Sequence, residues 1–431
     1  MKIFINTFGS RGDIQPYIIL GKTLKDKGHE VMICTGSRFE SQIKEVGIEY
    51  GYITDEAFEL LDADKTILED SLGIIGVAKT SMRLIKIAKP INRKMIQNAW
   101  DAAKKFEPDL VIYHPKALGA VSIAEKFNVP AILISLIPML APTTEIPVIG
   151  MPNLKLGGWY NKLTYKLVIL GYNSYMKDLN DIRINEMGLK KLPRGTGIAA
   201  MSDGTPTPNI HAISPHVLPT PHDWPDYYTM NGYIFMDKEN DWSPPVELQA
   251  FLDAGEPPVY VGFGSMSGSN TERLTNVVIE ALKQANVRGI IATGWGGLDA
   301  ADLPDTLFKI EKAPHDWLFE RVTAVIHHGG AGTTAAGFRA GRPTIICPFM
   351  GDQPFWGEQV EKLGVGVKTA PQKKLTSGEL ATAIRTVTTD TTQQEKAAAL
   401  GENIQAEDGV ANATATIEKI MEKHRRQAVK V

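Results

Sequence analysis

The stretch Ala324–Gly357, AVIHHGGAGTTAAGFRAGRPTIICPFMGDQPFWG, decides the fold of this 431-residue chain. Its first residues, Ala324–Ile326, predict a short buried strand that leads into a glycine-rich turn and then into a helix. At such a helix N-terminus, free N–H groups and the helix dipole favour an anion, and glycines let a phosphate approach the backbone. The spacing matches neither the dinucleotide-binding pattern nor the P-loop pattern. We therefore predict a phosphate site here, with a tight turn that binds nothing as the alternative.

Two motifs in this stretch, HHGGAGTT (327–334) and GDQPFWG (351–357), resemble the C-terminal signature of inverting nucleotide-sugar glycosyltransferases. Within that superfamily the motifs are most similar to those of sterol 3-beta-glucosyltransferases. The resemblance extends over most of the chain and is weakest over residues 55–110 and 150–230. It implies an α/β fold of the GT-B type, with two facing Rossmann-like domains and an interdomain cleft.

Length and composition favour two domains. A chain of 431 residues exceeds one ordinary core, and residues 203–245 are dense in proline, glycine and turn residues. We therefore predict an N-terminal, acceptor-binding Rossmann-like domain over residues 1–237 and a nucleotide-sugar donor-binding domain over residues 238–405. Residues 406–431 are expected to form a C-terminal helix and tail that pack back on the N-terminal domain.

Charge and cysteine content argue against several classes of protein. The net charge of −3 gives no reason to expect nucleic acid as a partner. No apolar run reaches ~18 residues, and a strand pattern begins near the first residue, so neither a transmembrane helix nor a secretory signal peptide is expected. The two cysteines, Cys34 and Cys347, are far apart in the chain and fit a reducing compartment. We expect a cytoplasmic protein, with peripheral membrane contact as an option.

The N-terminal motif is a strand, Lys2–Thr7, followed by the loop FGSRGD and a helix predicted over Ile14–Lys27. This start predicts a parallel sheet, and ligands of such sheets bind at the carboxyl ends of the strands, where the loop lies. By spacing alone, Asp13 is either a helix N-cap or a general base. The resemblance, carried by GSRGD, implies that Asp13 is the base and that Ser10 and Arg11 lie on the acceptor side.

A histidine follows the next buried strand at its carboxyl end. Plant relatives in the superfamily use a histidine in the first loop and an aspartate near this later position, whereas here Asp13 comes first and His114 later. Our hypothesis is a reversed catalytic pair, in which His114 polarises or orients Asp13. The alternative is a surface histidine that merely precedes Pro115.

The acceptor site is expected after the strand that ends near residue 137. Residues 138–147, PMLAPTTEIP, loosely match the segment that lines the acceptor in the sterol group, which assigns Pro138 and Met139 to acceptor binding. An apolar site there would suit a lipophilic alcohol. Four aromatic residues follow at roughly helical spacing, a pattern more typical of a core than of a pocket: Trp159, Tyr160, Tyr165 and Tyr172.

Two charged stretches precede this region. Residues 55–70 are acidic and contain Asp62-Ala63-Asp64, formally a D-x-D triplet, but the stretch resembles a helix and no metal is expected there. Residues 79–94 are basic and interleaved with apolar residues. We interpret this second stretch as a solvated helix face, with contact to anionic lipid as the alternative.

The resemblance also assigns donor-binding residues in the C-terminal half. Segments GFGS and PHDWLF would border the donor's phosphates and base, while His327 would contact the diphosphate and Asp352 and Gln353 the sugar. The assigned residues are Gly264, Ser265, His315, Asp316, Trp317, His327, Gly329, Gly330, Gly332, Thr333, Asp352 and Gln353. Neither metal nor cofactor is expected, because a helix N-terminus and a histidine can stabilise a leaving diphosphate.

The last part of the chain has a helical pattern. Thr376–Val387, Gln393–Leu400 and Val410–Lys423 predict three helices, and Gly401 is expected to end the second of them.

The combined prediction is an inverting glycosyltransferase that moves glucose from UDP-glucose to the hydroxyl of a lipophilic acceptor such as a sterol, giving a β-glucoside. A first alternative uses a flavonoid, polyketide or other aglycone, because acceptor choice depends on the weakly matched segments. A dTDP-sugar is an option for its donor, because Lys312 and Ala335-Ala336 depart from the plant signature where base and ribose are held. A second alternative is a non-catalytic protein that binds a nucleotide sugar. Asp13 argues against it, because a pure binder needs no such carboxylate.

Overall fold

The computed structural model describes residues 1–57, 59, 73–193, 195–196, 198–236, 242–264, 271–293 and 303–428, and of 73–86 and 427–428 it describes only the helical backbone. The chain divides into two compact units. The first comprises Met1–Met236 together with Asp408–Val431, and the second comprises Asp237–Glu407. Each unit has its own parallel sheet and its own hydrophobic core.

The first unit is built on seven parallel strands. They are β1 (Lys2–Asn6), β2 (Glu30–Gly36), β3 (Glu49–Ile53), β4 (Leu110–Tyr113), β5 (Ala131–Ser135), β6 (Asn209–His211) and β7 (Tyr228–Met230). Their order across the sheet is β3-β2-β1-β4-β5-β6-β7. The central strands are apolar and buried throughout, as expected where helices cover both faces of a parallel sheet.

In the described residues before 236, six α-helices accompany these strands. They are α1 (Arg11–Asp26), α2 (Glu40–Glu45), α3 (Gly73–Phe106), α4 (Ala120–Phe127), α5 (Gly158–Tyr172) and α6 (Met176–Asn185). Helix α3 spans the basic stretch 79–94. Two of its cations pair with acids on the surface, since Arg93 lies 2.6 Å from Asp181 and Lys94 contacts Glu56. These pairs favour a solvated helix face for that part of the stretch.

The second unit has six parallel strands. They are β8 (Val259–Gly262), β9 (Gly289–Ala292), β10 (Leu307–Ile310), β11 (Ala324–His327), β12 (Thr344–Ile346) and β13 (Gly366–Lys368). Their order is β10-β9-β8-β11-β12-β13. Its helices are α7 (Val246–Asp253), α8 (Thr271–Ala285), α9 (His315–Leu318), α10 (Ala331–Arg339), α11 (Gln353–Leu363), α12 (Ser377–Thr389) and α13 (Thr391–Gln405).

The last helix, α14 (Gly409–Ala428), belongs to the first unit. Its apolar residues Ala413 and Ile417 are part of that unit's core. Asn231 ties the helix in place, because its backbone oxygen accepts from Asn412 Nδ2 at 3.1 Å and its own Nδ2 donates to Thr416 Oγ1 at 2.8 Å. Among the helices that the structure describes, none has both the length and the apolar character needed to cross a bilayer.

Three helix boundaries differ from the sequence predictions. Helix α1 begins at Arg11 instead of Ile14, so Asp13 lies in its first turn and not at its N-cap. Helix α10 begins at Ala331, four residues before Ala335, where the sequence predicted its start. Helix α13 continues through Gly401, where a Cβ would lie 2.7 Å from the backbone nitrogen of Gly341, so this glycine permits close packing and does not end the helix.

Sheet register brings specific loops together. Asn6 on β1 pairs with Tyr113 on β4, so the loop before α1 lies beside the residues that follow β4. In the second unit, Gly262 on β8 pairs with His327 on β11. Both pairs lie where the strand order reverses direction, which is the place where ligands of doubly wound sheets bind.

Candidate active site

In the first unit the carboxylate of Asp13 is the centre of a small polar cluster. Its Oδ2 accepts from the backbone nitrogen of Ser10 at 2.7 Å, from Ser10 Oγ at 3.0 Å and from Lys116 Nζ at 3.1 Å. Its Oδ1 lies 3.3 Å from Nε2 of His114. Within the part of the chain that the structure describes, one oxygen therefore has three donors, whereas the other has a single longer contact.

The backbone fixes the tautomer of His114. Its Nδ1 accepts from the backbone N–H of Lys116 at 3.1 Å, so in the neutral ring the proton is on Nε2, the nitrogen that points at Asp13. The imidazole is buried, and the ring of Tyr17 packs edge-on against it with centroids 5.9 Å apart. His114 is thus held as a hydrogen-bond donor to Asp13.

These contacts set the charges of the pair. Burial alone would raise the pKa of Asp13, but the positive charge of Lys116 and the hydrogen bond from His114 outweigh it and hold that pKa well below its usual range. Burial lowers the pKa of His114, against the opposing influence of Asp13. At neutral pH the pair is an ionised carboxylate and a neutral imidazole, which is the arrangement that a proton acceptor needs.

The carboxylate can occupy this position only because residue 9 is glycine. Gly9 has a φ of +145°, and a Cβ on it would lie 2.1 Å from Asp13 Oδ2. Any side chain there would collide with the carboxylate.

The sequence prediction did not include Lys116. It follows His114 by two residues at the same strand end, and that proximity was the only signal for it in the sequence. Arg11 is exposed beside the cluster.

The acceptor segment, residues 138–147, is anchored at several points. Pro138 is buried and Met139 is half-buried. Asp223 accepts from Thr143 Oγ1 at 2.5 Å and from the backbone nitrogen of Thr144 at 2.9 Å. These bonds fix the middle of the segment to a loop that lies about 80 residues further along the chain.

In the second unit the glycine-rich turn precedes α10. Gly329 has a φ of +97°, and a Cβ there would lie 2.7 Å from Ile346 Cγ2, so the turn requires glycine at this position. Gly332 lies in the first turn of the helix, is exposed, and has nothing within 4 Å of a Cβ placed on it. The N–H groups of a first helical turn have no partner inside the helix, so this open end can bind an anion.

Two histidines lie beneath this turn. His327 is fully buried and its Nδ1 accepts from the backbone nitrogen of Gly329 at 3.0 Å. His328 packs against Gly330 and Gly264, because a Cβ on those glycines would lie 2.6 Å and 3.5 Å from its ring. Within the described part of the chain, neither His327 Nε2 nor His328 Nδ1 has a hydrogen-bond partner. Buried polar atoms of this kind point to a missing ligand or water.

Burial keeps both rings neutral. It lowers the pKa of His328 to about 4, and it lowers that of His327 well below the ordinary value, with further contributions from His328 and His315. A neutral imidazole can still donate one hydrogen bond to an anion.

Asp352 and Gln353 differ in accessibility. Asp352 is half-exposed at the N-cap of α11, and its Oδ2 accepts from Trp356 Nε1 at 2.8 Å. Gln353 is only 4% exposed, and its Oε1 accepts from the backbone nitrogens of Phe349 at 2.6 Å and Met350 at 3.0 Å. The amide oxygen of Gln353 therefore stabilises the preceding loop, while Asp352 remains accessible.

Three of the remaining assigned residues lie in α9, and the fourth, Thr333, lies in α10. His315 stacks on Phe319 with centroids 4.4 Å apart, and Asp316 is half-buried. Trp317 contacts the ring of Trp242 and lies under the guanidinium of Arg321, so protein groups already cover part of its ring. Thr333 is half-exposed in the first turn of α10.

Some predictions fall outside the described residues, namely Ser265 and the triplet Asp62-Ala63-Asp64. Among the residues that are described, no group of three or more histidine, cysteine or acidic side chains is arranged to hold a metal ion.

Two family descriptions match the chain. Residues 3–144 match the glycosyltransferase family 28 N-terminal domain, and residues 282–420 match the erythromycin biosynthesis protein CIII-like C-terminal domain.

Two curated relatives are sterol 3-beta-glucosyltransferases. The one from Emericella nidulans is 36% identical over 98% of this chain, and the one from Arabidopsis thaliana is 34% identical over 96% of it. The chain spans 30% of the length of the first relative and 64% of the second. The solved structure of the glycotransferase of kitacinnamycin superposes with a TM-score of 0.72, covering 97% of this chain and 98% of that one, at 19% identity. At 19% identity, this similarity supports a shared fold and nothing more.

Proposed function

The chain belongs to the glycosyltransferase superfamily of the GT-B type, and we propose that it is an inverting glucosyltransferase that moves glucose from UDP-glucose to a lipophilic alcohol such as a sterol. Inversion is a single displacement. The acceptor oxygen bonds to the anomeric carbon as the bond from that carbon to the diphosphate breaks, and the acceptor proton passes to a base. The products are a β-glucoside and UDP.

The observation that carries the proposal is the asymmetry of the Asp13 carboxylate. Among the described residues, three donors hold Oδ2, while Oδ1 has only the 3.3 Å contact with His114. Oδ1 is therefore the oxygen to which an acceptor hydroxyl would donate. Proton transfer of this kind contributes typically ~10²–10⁴-fold to a rate. A pure binding protein would have no use for an ionised carboxylate held in this way.

The second unit supplies the features that a departing diphosphate requires. Charge builds up on the diphosphate in the transition state, and donors that are already oriented stabilise such charge best. The N-terminus of α10 offers N–H groups, and His327 and His328 offer buried nitrogens that have no partner among the described residues. In this proposal these groups perform the role that a metal ion has in other transferases, and Asp352 binds a hydroxyl of the sugar.

The choice of a sterol rests on the curated relatives, which match along nearly the whole chain. Because the chain spans only part of their length, the acceptor is part of the proposal. A flavonoid or polyketide acceptor, or a dTDP-sugar donor, would use the same two groups of residues.

The test is release of UDP from UDP-glucose with cholesterol, with a flavonol and without acceptor, for the wild type and Asp13→Asn. Sterol-dependent release that falls at least ~10²-fold in the variant supports both the acceptor class and the base. Equal binding of UDP-glucose by both proteins, measured by calorimetry, shows that the variant is folded. Release of UDP with the flavonol alone would replace the sterol as the proposed acceptor. Binding of the donor without any release of UDP would contradict the proposal that the chain is an enzyme.

A further inference from the structure

The exposed apolar side chains of this protein are concentrated in one segment. Twelve large hydrophobic side chains are exposed in the described part of the chain, and seven of them lie between residues 151 and 170. The seven are Met151, Leu154, Leu156, Trp159, Leu163, Leu167 and Leu170. We call this segment the 151–170 surface. Monomeric soluble proteins rarely expose such a contiguous patch unless it binds a partner or a membrane.

Four of the seven side chains form a stripe along α5. Trp159, Leu163, Leu167 and Leu170 are spaced by four, four and three residues, which places them within about 80° of one another around a helix. The opposite side of α5 packs inward, where Tyr165 is buried. Trp159, at the start of the stripe, is 66% exposed. The helix thus has one face in the protein and one apolar face in solvent.

The sequence stretch that carries the stripe has charge of one sign, although one of its lysines, Lys162, lies 3.2 Å from the carboxylate of Asp223 in another loop. Between residues 146 and 177 the sequence contains no aspartate or glutamate but four lysines: Lys155, Lys162, Lys166 and Lys177. Lys155, Lys162 and Lys166 are exposed. Lysines can keep their ammonium groups in a polar layer while their stems lie along apolar surface.

We infer that the 151–170 surface docks on a lipid bilayer that carries anionic headgroups. Apolar side chains, an interfacial tryptophan and flanking lysines are the composition of helices that lie in the plane of a membrane surface. Each lysine near an anionic leaflet adds to the attraction. A protein partner fits less well, because interfaces between proteins are depleted in lysine. Lipid contact was an alternative interpretation for residues 79–94, so the 151–170 surface is a different one.

Docking here would act directly on the acceptor segment. Asn161 Nδ2 on α5 donates to the backbone oxygen of Thr144 at 2.8 Å, and Thr164 Oγ1 accepts from the backbone nitrogen of Val148, the residue that follows the segment, at 2.8 Å. The helix that carries the apolar stripe therefore also holds the segment assigned to the acceptor. The step from docking to acceptor delivery rests on the proposed function: a lipophilic alcohol would enter from the bilayer without crossing water.

The test of docking is flotation with vesicles of phosphatidylcholine, with and without phosphatidylserine. The double variant Leu163→Ser/Leu167→Ser should bind vesicles at least about tenfold more weakly, because each replacement removes apolar surface that docking would bury. The control is Val246→Ser, which removes a side chain that is 80% exposed elsewhere, on α7, and should float like the wild type. Lys155→Glu/Lys166→Glu should weaken binding to the anionic vesicles alone.

Activity measurements distinguish a failure of the docking inference from a failure of the proposed function. The leucine double variant should glucosylate sterol in detergent micelles like the wild type and sterol in vesicles more slowly. If no acceptor is ever glucosylated but flotation still depends on Leu163 and Leu167, docking stands and the proposed function fails. Equal flotation of the folded double variant and the wild type would overturn the inference. So would a wild-type dimer, seen by light scattering, that the leucine variant abolishes without any vesicle binding.

Discussion

Lys116 Nζ lies 3.1 Å from Oδ2 of Asp13, a contact between residues that are 103 positions apart in the chain. His114, two residues before the lysine, approaches the other carboxylate oxygen. The ammonium group and the imidazole therefore contact different oxygens, and both lower the pKa of Asp13, with the charge of Lys116 as the largest lowering contribution. The imidazole also orients the carboxylate, whereas the positive charge of Lys116 stabilises the ionised form and weakens Asp13 as a base.

Replacing Lys116 should make Asp13 more basic. Because the lysine holds the pKa of Asp13 down, Lys116→Met should raise that pKa toward the ordinary carboxyl value, and the acid limb of kcat/KM should move to higher pH. Lys116→Arg keeps the charge and should retain the wild-type profile. A carboxyl titration of Asp13, followed by NMR, that is the same in all three proteins would contradict this role.

Gly9 should be essential for the position of the carboxylate. Gly9→Ala places a methyl group where Asp13 Oδ2 lies, so turnover should fall by ~10²–10⁴-fold, as for loss of a base, with donor binding unchanged. Gly28→Ala is the matched control, because Gly28 also has a positive φ, +88°, but has nothing within 4 Å of a Cβ. If the two variants lose equal activity, backbone strain and not the collision with Asp13 is the cause.

Donor binding at the N-terminus of α10 should tolerate a neutral side chain and be weakened by a negatively charged one. Gly332 has open space around it, so Gly332→Ala should bind UDP-glucose within a few-fold of the wild type. Gly332→Glu puts a carboxylate where the diphosphate would bind, and repulsion should weaken donor binding by at least about tenfold. Calorimetry with UDP measures both. If the two variants bind UDP with equal affinity, the diphosphate does not bind at this helix N-terminus.

The stability of the fold should decrease in mild acid. Burial lowers the pKa of His211 to about 3 and that of His328 to about 4, so both stay neutral in the fold while the unfolded chain takes up protons below pH 6.5. Each such histidine reduces the free energy of unfolding by about 1.4 kcal/mol per pH unit below that value. His328 contributes down to about pH 4 and His211 down to about pH 3.

Urea unfolding at pH 7, 6, 5 and 4 measures this slope. His211→Gln should reduce it, because one buried group no longer titrates, even if the variant is less stable at every pH. A midpoint that does not change between pH 7 and pH 4 would show that these rings are accessible to protons in the fold.

The fold could be predicted from the sequence, because it depends on patterns of residues that are close together in the chain. Apolar runs of strand length alternate with helical patterns, and the motif at 327–334 identifies the superfamily; the comparisons confirm both the α/β GT-B fold and the superfamily. The start of α1 was placed three residues late, because Arg11 and Gly12 do not look like a first helical turn. The hydrogen bonds from Ser10 to Asp13 begin the helix there.

The contacts of the site were harder to predict, because they depend on distant residues. Nothing near Asp13 in the sequence points to Lys116, and the register of β1 and β4 is what brings this lysine beside the carboxylate. The aromatic stripe on α5 shows a second limit. The prediction of a core pattern is correct for Tyr165, which is 2% exposed, but wrong for Trp159, which is 66% exposed on another face of the helix. Periodicity reports which residues share a face and not what covers that face.

The position of α14 in the first unit has a consequence for biosynthesis. The ribosome makes residues 1–236 before the second unit and the second unit before residue 408, so the first unit lacks Ala413, Ile417 and the Asn231 contacts until the chain has grown past residue 417. The second unit is one uninterrupted stretch and can fold while the chain is still growing. The order of completion is then the reverse of the order in the chain: the second unit can complete its fold first, and the unit that holds Asp13 is completed last.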